Sequence, residues 1–283
     1  METIKDKHFG GERPLFGIKG VKLENITIDD GESGIKCCSD IECTGSRFFG
    51  KYPLWHVDGS VIDDCYFAPG SRSAIWYSDR MTMKNCVIDA PKLFREMNGL
   101  EIENVIINDA DETFWKVKRL KAVNLKLHDG TYPFMFCEDV FVDGLVSDSK
   151  YVFQYCRNVE VHNAHITTKD SFWECDNVEI YDSVLDGEYL AWHSRNVKLV
   201  RCRISGEQPL CYLDGITLVD CTFHPACDRA FEDSRNIDAQ ITGAITEIKN
   251  PISGRIVADS VGKVTYTPFA KGNGCMVETR RQQ

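Results

Sequence analysis

Lys169-Asp170-Ser171-Phe172-Trp173-Glu174-Cys175-Asp176-Asn177, followed by Val178-Glu179-Ile180-Tyr181-Asp182-Ser183-Val184-Leu185, is one complete unit of a repeat. The next unit reads Gly187-Glu188-Tyr189-Leu190-Ala191-Trp192-His193-Ser194-Arg195-Asn196, then Val197-Lys198-Leu199-Val200-Arg201-Cys202-Arg203-Ile204. Aligned, Phe172 falls on Ala191, Trp173 on Trp192, Glu174 on His193, Cys175 on Ser194, Val178 on Val197 and Ile180 on Leu199.

The rest of the chain carries the same beat, and a fixed period is read before any single element. The first residue of each apolar pair stands at Val21, Ile41, Ser60, Met81, Leu100, Leu120, Val140, Val159, Val178, Val197, Ile216 and Ile237, at intervals of 19 to 21 residues. Within a unit the apolar residues skip by two, as in Val21/Leu23 or Leu100/Ile102, the alternation of a strand with one buried face. Four residues after the start comes a turn residue: Asn25, Gly45, Asp64, Asn85, Asn104, Asn124, Gly144, Asn163, Asp182, Arg201 and Asp220. Most are Asn, Asp or Gly, which tolerate the left-handed backbone of a sharp bend; stacked Asn side chains can also bond along the ladder. A second inward pair follows, as in Cys86/Ile88 or Cys202/Ile204, then a short polar loop. A third segment carries Ile35, Leu54, Ile75, Phe94, Phe114, Phe134, Phe153, Phe172, Ala191, Leu210 and Phe231.

Three short strands and their bends per ~20 residues describe one coil of a parallel β-helix. No helical 3.6-residue pattern competes, so the fold class expected is all-β: a right-handed parallel β-helix of about 11–12 coils in a single domain. Residues 1–16 are expected to cap one end, 17–245 to form the coils, and 246–283 to hold a coil remnant and a second cap.

Composition narrows the function classes. An apolar content of 43% is ample for a core. A net charge of -10 argues against a nucleic-acid or anionic-membrane binder. No apolar run is long enough for a membrane span, and the polar start Met1-Glu2-Thr3-Ile4-Lys5-Asp6-Lys7 lacks the apolar stretch of a signal peptide. The 13 cysteines are odd in number, mostly at interior positions, and show no zinc spacing, so they read as reduced thiols and point to the cytoplasm. No metal or other cofactor is expected, and the oligomeric state stays open.

The residues after the third-segment apolar position form a column: Lys36, Trp55, Trp76, Arg95, Trp115, Met135, Gln154, Trp173, Trp192, Cys211 and Glu232, which holds all five tryptophans. The next column reads Cys37, His56, Tyr77, Glu96, Lys116, Phe136, Tyr155, Glu174, His193, Tyr212 and Asp233. Rings mixed with charges suit an outward surface that is half apolar and half wet. The expectation is an oligosaccharide or glycoside stacked on Trp55, Trp76, Trp115, Trp173 and Trp192, with His56, Tyr77, Asp170, Glu188 and Tyr212 bonding its polar groups. Equally open is that the tryptophans only cover the core and pack on one another. For turnover, Glu174 and His193 one coil apart, with carboxylates nearby, could serve glycoside hydrolysis; Arg95, Lys92, Lys116 and Glu96 could hold and deprotonate a uronate in a lyase. A non-catalytic binding scaffold is the alternative. Cys37, Cys38 and Cys211 have no histidine partner derivable from spacing and read as structural thiols.

Several segments, among them Glu12-Arg13-Pro14-Leu15-Phe16, Lys51-Tyr52-Pro53-Leu54-Trp55-His56, Ala90-Pro91-Lys92-Leu93-Phe94-Arg95, Gln208-Pro209-Leu210-Cys211-Tyr212 and Lys249-Asn250-Pro251, carry a further resemblance. With Ala74-Ile75-Trp76-Tyr77 and the two units quoted first, they resemble a bacterial family of right-handed parallel β-helix proteins of unknown function, over nearly the whole chain. The coil architecture is more remotely similar to the pectate-lyase-like superfamily, whose members cleave or bind acidic polysaccharides. That resemblance implies the fold; the paired aspartates of the polygalacturonase branch are absent, and Asp63-Asp64 lies in the turn column.

Overall fold

The computed structural model describes residues 1–280. The protein is an all-β parallel β-solenoid of about 15 turns with a repeat near 19 residues; among the described residues helix is limited to one 3-10 turn at Pro69–Ser71. Contacts divide it into two compact units, Met1–Ser149 and the chain from Lys150 onward.

In the first unit every start position lies beside the next. Glu2 pairs with Val21, Val21 with Ile41, Ile41 with Ser60, Ser60 with Met81, Met81 with Leu100, Leu100 with Leu120 and Leu120 with Val140, all in parallel ladders. Residues 1–16 are thus wound as a coil: Glu2–Lys5, His8–Glu12 and Leu15–Phe16 each pair with the coil that follows. In the second unit Val159, Val178, Val197, Ile216, Ile237, Gly254 and Cys275 continue in register. The tail therefore adds rungs at Ser253–Ala258 and Gly274–Thr279, while Ala244–Lys249 pairs with Ser260–Thr265 in a small separate sheet. The turns exceed the twelve starts counted because Glu2, Gly254 and Cys275 stand where an apolar start was sought. Gly254 is required there: with φ of 114°, a Cβ would lie 2.1 Å from the Ile237 carbonyl oxygen.

The turn column has the backbone expected of it. Asn25, Asp64, Asn85, Asn104, Asn124, Asn163, Asp182, Arg201 and Asp220 have φ between 48° and 54°, and Gly45 and Gly144 are also left-handed. Their side chains bond from coil to coil, Asn104 Nδ2 donating to Asn85 Oδ1 at 3.3 Å and Asn124 Nδ2 to Asn104 Oδ1 at 3.0 Å. Inside, the phenylalanines form flat stacks: Phe94 on Phe114 at 5.0 Å and Phe114 on Phe134 at 4.6 Å in the first unit, Phe153 on Phe172 at 4.8 Å in the second. All 13 cysteines are free thiols, and all but Cys37 are buried. Several also bond the previous coil, as Cys137 Sγ does to the Phe114 carbonyl at 2.9 Å; Ser194 does the same through Oγ to Phe172 at 2.6 Å. Cys-to-Ser exchange in that column is therefore conservative in bonding as well as size.

Candidate functional site

The column that holds His56, Tyr77, Glu96, Lys116, Glu174, His193 and Tyr212 is left-handed throughout, with φ from 50° to 64°. Such angles are costly for residues with a Cβ. Because the angle recurs on every coil, including Cys37 and Asp233, it belongs to the corner of the coil and not to one site. The corner throws these side chains outward, and His56, Tyr77, Glu96, Lys116, Glu174 and His193 are exposed. The tryptophans just before it are half-buried, each lying along the surface.

In the first unit the tryptophan column is a self-packed file. Lys36 Nζ sits 5.0 Å over Trp55, Trp55 lies 5.7 Å from Trp76, and the Arg95 guanidinium is held between Trp76 and Trp115 at 5.2 and 4.9 Å. Tyr52 closes on Trp55 at 4.5 Å, and the Trp76 indole donates to the Lys92 carbonyl at 2.9 Å. His56 stacks on Tyr77 at 5.0 Å. The cations gathered here are already matched: Arg95 and Lys92 both reach the Glu112 carboxylate, Lys92 at 3.3 Å, and Lys116 lies 4.0 Å from Glu96. Arg95 and Lys92, expected to cluster with Glu96 and Lys116, thus share the Glu112 carboxylate, while Lys116 and Glu96 form a pair of their own. Glu112, which was not among the expected site residues, is what neutralises Arg95. Only 18% of the Arg95 side chain is exposed, so Glu112→Ala, which strips its partner, is expected to cost about 1–3 kcal/mol in chemical denaturation. A loss below 0.5 kcal/mol (about the level of an ordinary surface pair) would show that the file does not depend on that carboxylate.

The second unit arranges the same columns differently. Trp173, Glu174, His193 and Tyr212 line one open depression of about 410 Å³, together with Ser194, Arg195, Asp214 and Arg235. His193 stacks flat on Tyr212 at 5.0 Å and faces Trp173 at 6.5 Å. Among the described residues His193 and Glu174 make no hydrogen bond or ion pair with each other. Tyr212 has its phenol pushed up by burial and by the nearby Glu232 carboxylate. Trp192 is boxed by Tyr189 at 4.5 Å and Tyr212 at 5.1 Å, and its indole donates to the Gln208 carbonyl at 2.8 Å. Trp173 differs, since its Nε1 is buried with no hydrogen-bond partner.

Arg195, Asp214 and Arg235 were missed as lining residues. They belong to a column two residues before the start, where Arg157, Asp176, Arg195, Asp214 and Arg235 alternate in sign on successive rungs. Read down the repeat, that alternation was legible. Asp214 is taken by Arg235 at 3.0 Å and by Asn236 at 2.6 Å.

Asp170 lies apart from the depression, 8% exposed, with its carboxyl pushed up chiefly by burial; Glu188 pairs instead with Lys169 at 3.2 Å. A carboxyl raised in the folded state favours the protonated form, so its ionisation penalty is absent in acid and appears as pH rises through the raised value. Asp170→Asn is therefore expected to raise the Tm at neutral pH, with the gain fading below roughly pH 4. A Tm lowered at both pH values would mean that the carboxylate is held by favourable bonds.

Cys211 is buried, donates to the Gln208 and Arg229 carbonyls at 3.3 Å, and has its thiol pushed up by burial, the opposite of an activated nucleophile. Among the described residues no three His, Cys, Asp or Glu side chains come together to hold a metal ion. No helix among them is long and apolar enough to cross a membrane.

The family model described as "Protein of unknown function (DUF3737)" matches residues 2–277. The chain belongs to the DUF3737 family. No curated protein matches it. Among solved structures, this DUF3737 chain is similar to a mutant tailspike protein of E. coli bacteriophage HK620 in complex with a pentasaccharide, at 8% identity and a TM-score of 0.39, over 97% of this chain and 72% of that one. It is similar to the A-module of the Azotobacter vinelandii mannuronan C-5 epimerase AlgE4, at 10% identity and a TM-score of 0.27, over 97% and 90%. It is also similar to QnrB1, a plasmid-mediated fluoroquinolone resistance protein, at 16% identity and a TM-score of 0.25, over 75% and 92%.

Proposed function

We propose that this DUF3737 protein is a carbohydrate-active β-solenoid that binds an oligosaccharide or glycoside in the second unit, at Trp173, Glu174, His193 and Tyr212. The observation that carries this reading is the open depression those four side chains share with Arg195. A pyranose presents an apolar face to an indole and hydroxyls to its rim, and this mostly polar hollow offers one indole beside charged and hydroxyl groups. Trp173 is half-buried and lines that depression with its indole, while its Nε1 is enclosed by protein and is no donor to a ligand. Trp55, Trp76, Trp115 and Trp192 are read as supporting walls, since their faces or N–H groups are taken by neighbours.

For turnover, Glu174 is the carboxylate and His193 the acid–base group, in a glycoside hydrolase or a lyase. Two observations favour the second reading, a non-catalytic binding scaffold: Glu174 and His193 do not bond each other, and the first unit's cations are neutralised. A reducing compartment, the cytoplasm, fits the free thiols. A glycan array followed by product analysis tests both readings. Product formation that Glu174→Gln abolishes supports the enzyme, binding without turnover supports the scaffold, and an array with no bound glycan rejects both.

A further inference from the structure

In the first unit an open notch of about 580 Å³ is lined by Arg80, Thr82, Gly99, Glu101, Arg119 and Lys121, among others. Its construction follows from comparing two coils. At Gly59 the gap left by the missing side chain is flanked by Asp40 Oδ1 of the preceding coil at 3.2 Å and by Arg80 Nη2 of the next coil at 3.4 Å from where a Cβ would stand. That guanidinium then closes a two-pronged bond on Asp58, Nε to Oδ1 at 2.9 Å and Nη2 to Oδ2 at 2.5 Å. Arg80 also holds the Asp58 carboxyl below its ordinary range.

Gly99 and Arg119 repeat the arrangement. Arg119 Nη2 reaches back to 3.9 Å from the Cβ position of Gly99. The residue before Gly99, however, is Asn98 where the earlier coil has Asp58. Asn98 Oδ1 is buried without a hydrogen-bond partner, and among the described residues no carboxylate lies within ion-pairing distance of Arg119 or of Lys121. The coil thus keeps the arginine of the pair and omits its acid.

We propose that this notch binds one small oxyanion, which takes at Arg119 the place that Asp58 takes at Arg80, with Lys121 as the second cation. The geometry suits the two-pronged recognition of a planar or tetrahedral oxyanion by arginine. Glu101 and Asp139 line the same notch, so its charge is balanced and the anion is held by the directed bonds of Arg119 and not by net attraction. Phosphate and the carboxylate of a uronic acid share this chemistry.

The test is calorimetry on the full chain with inorganic phosphate and, separately, with glucuronate. Saturable binding of either is expected, the tighter one naming the source as a phosphorylated or a carboxylated ligand. Arg119→Ala is expected to weaken it at least about tenfold, the scale of a lost charged hydrogen bond. Asn98→Asp restores the missing acid, so it should abolish anion binding while raising the Tm. This second variant decides the matter should Arg119→Ala fail to fold. Absence of binding by both anions in the unmodified protein, or an Asn98→Asp variant that binds as tightly as the parent, would overturn the proposal.

Discussion

Phe114→Ala is expected to lower the unfolding free energy by about 3–5 kcal/mol, the range for emptying a large buried ring. Phe114 is fully buried and stacks on both sides, on Phe94 at 5.0 Å and Phe134 at 4.6 Å. A solenoid cannot close this hole by sliding one coil, because each rung is pinned by ladder bonds above and below. The left-handed backbone at Phe114, with φ of 58°, adds to the expected loss: alanine keeps the strained angle and gives up the packing that sustains it. Phe114→Leu should recover much of the loss, since leucine occupies the same column at Leu54 and Leu210. Denaturation in urea measures both; a loss under 1 kcal/mol for the alanine variant would mean that the stack does not hold the core.

The second large effect concerns binding. Trp173→Ala should weaken an array-selected oligosaccharide by about 2 kcal/mol, roughly thirtyfold, as expected for truncating an aromatic anchor at the centre of a site. The fold should survive, because Trp173 is half-buried and its N–H bonds nothing in the protein. Trp76→Ala gives the opposite pattern. It removes one side of the Arg95 sandwich and the bond to the Lys92 carbonyl, so stability falls while binding is unchanged. Equal binding losses in the two variants would return the five tryptophans to one common surface.

Much of this fold is legible in the chain because its signals repeat. The start column and the Asn/Asp/Gly bend are each stated about a dozen times, so noise at Ser60 or Arg201 does not hide them. A second bend went unread: Gly20, Asp40, Gly59, Arg80, Gly99, Arg119, Asp139, Asn158, Asn177, Asn196, Gly215 and Asn236, one residue before each start, are all left-handed. Its arginines disguised it, although the Gly and Asn members carried the same signal as the column that was seen. The tail was lost for a different reason. Gly254 is dictated by the approach of the Ile237 carbonyl, a close contact that hydrophobic patterning does not encode.

The site was legible as columns and not as contacts. Periodicity puts Arg95 between Trp76 and Trp115 in sequence terms, and the sandwich follows. Whether Arg95 faces a ligand or Glu112 depends on side-chain rotamers, which spacing leaves free. The same freedom lets His193 lie flat on Tyr212 instead of reaching Glu174. Spacing predicted one line of five tryptophans; the structure places Trp55, Trp76 and Trp115 in the first unit and Trp173 and Trp192 in the second, and of these Trp76 and Trp192 donate their N–H to backbone carbonyls.

The most direct measurement is the indole N–H spectrum of the intact protein, with five tryptophan resonances assigned by single substitution, during titration with an array-selected oligosaccharide. The account predicts that the Trp173 resonance moves furthest, as the sugar ring stacks against its indole, while Trp76 and Trp192 stay near their starting positions. Shifts confined to Trp55, Trp76 and Trp115, with Trp173 unmoved at saturation, would contradict it.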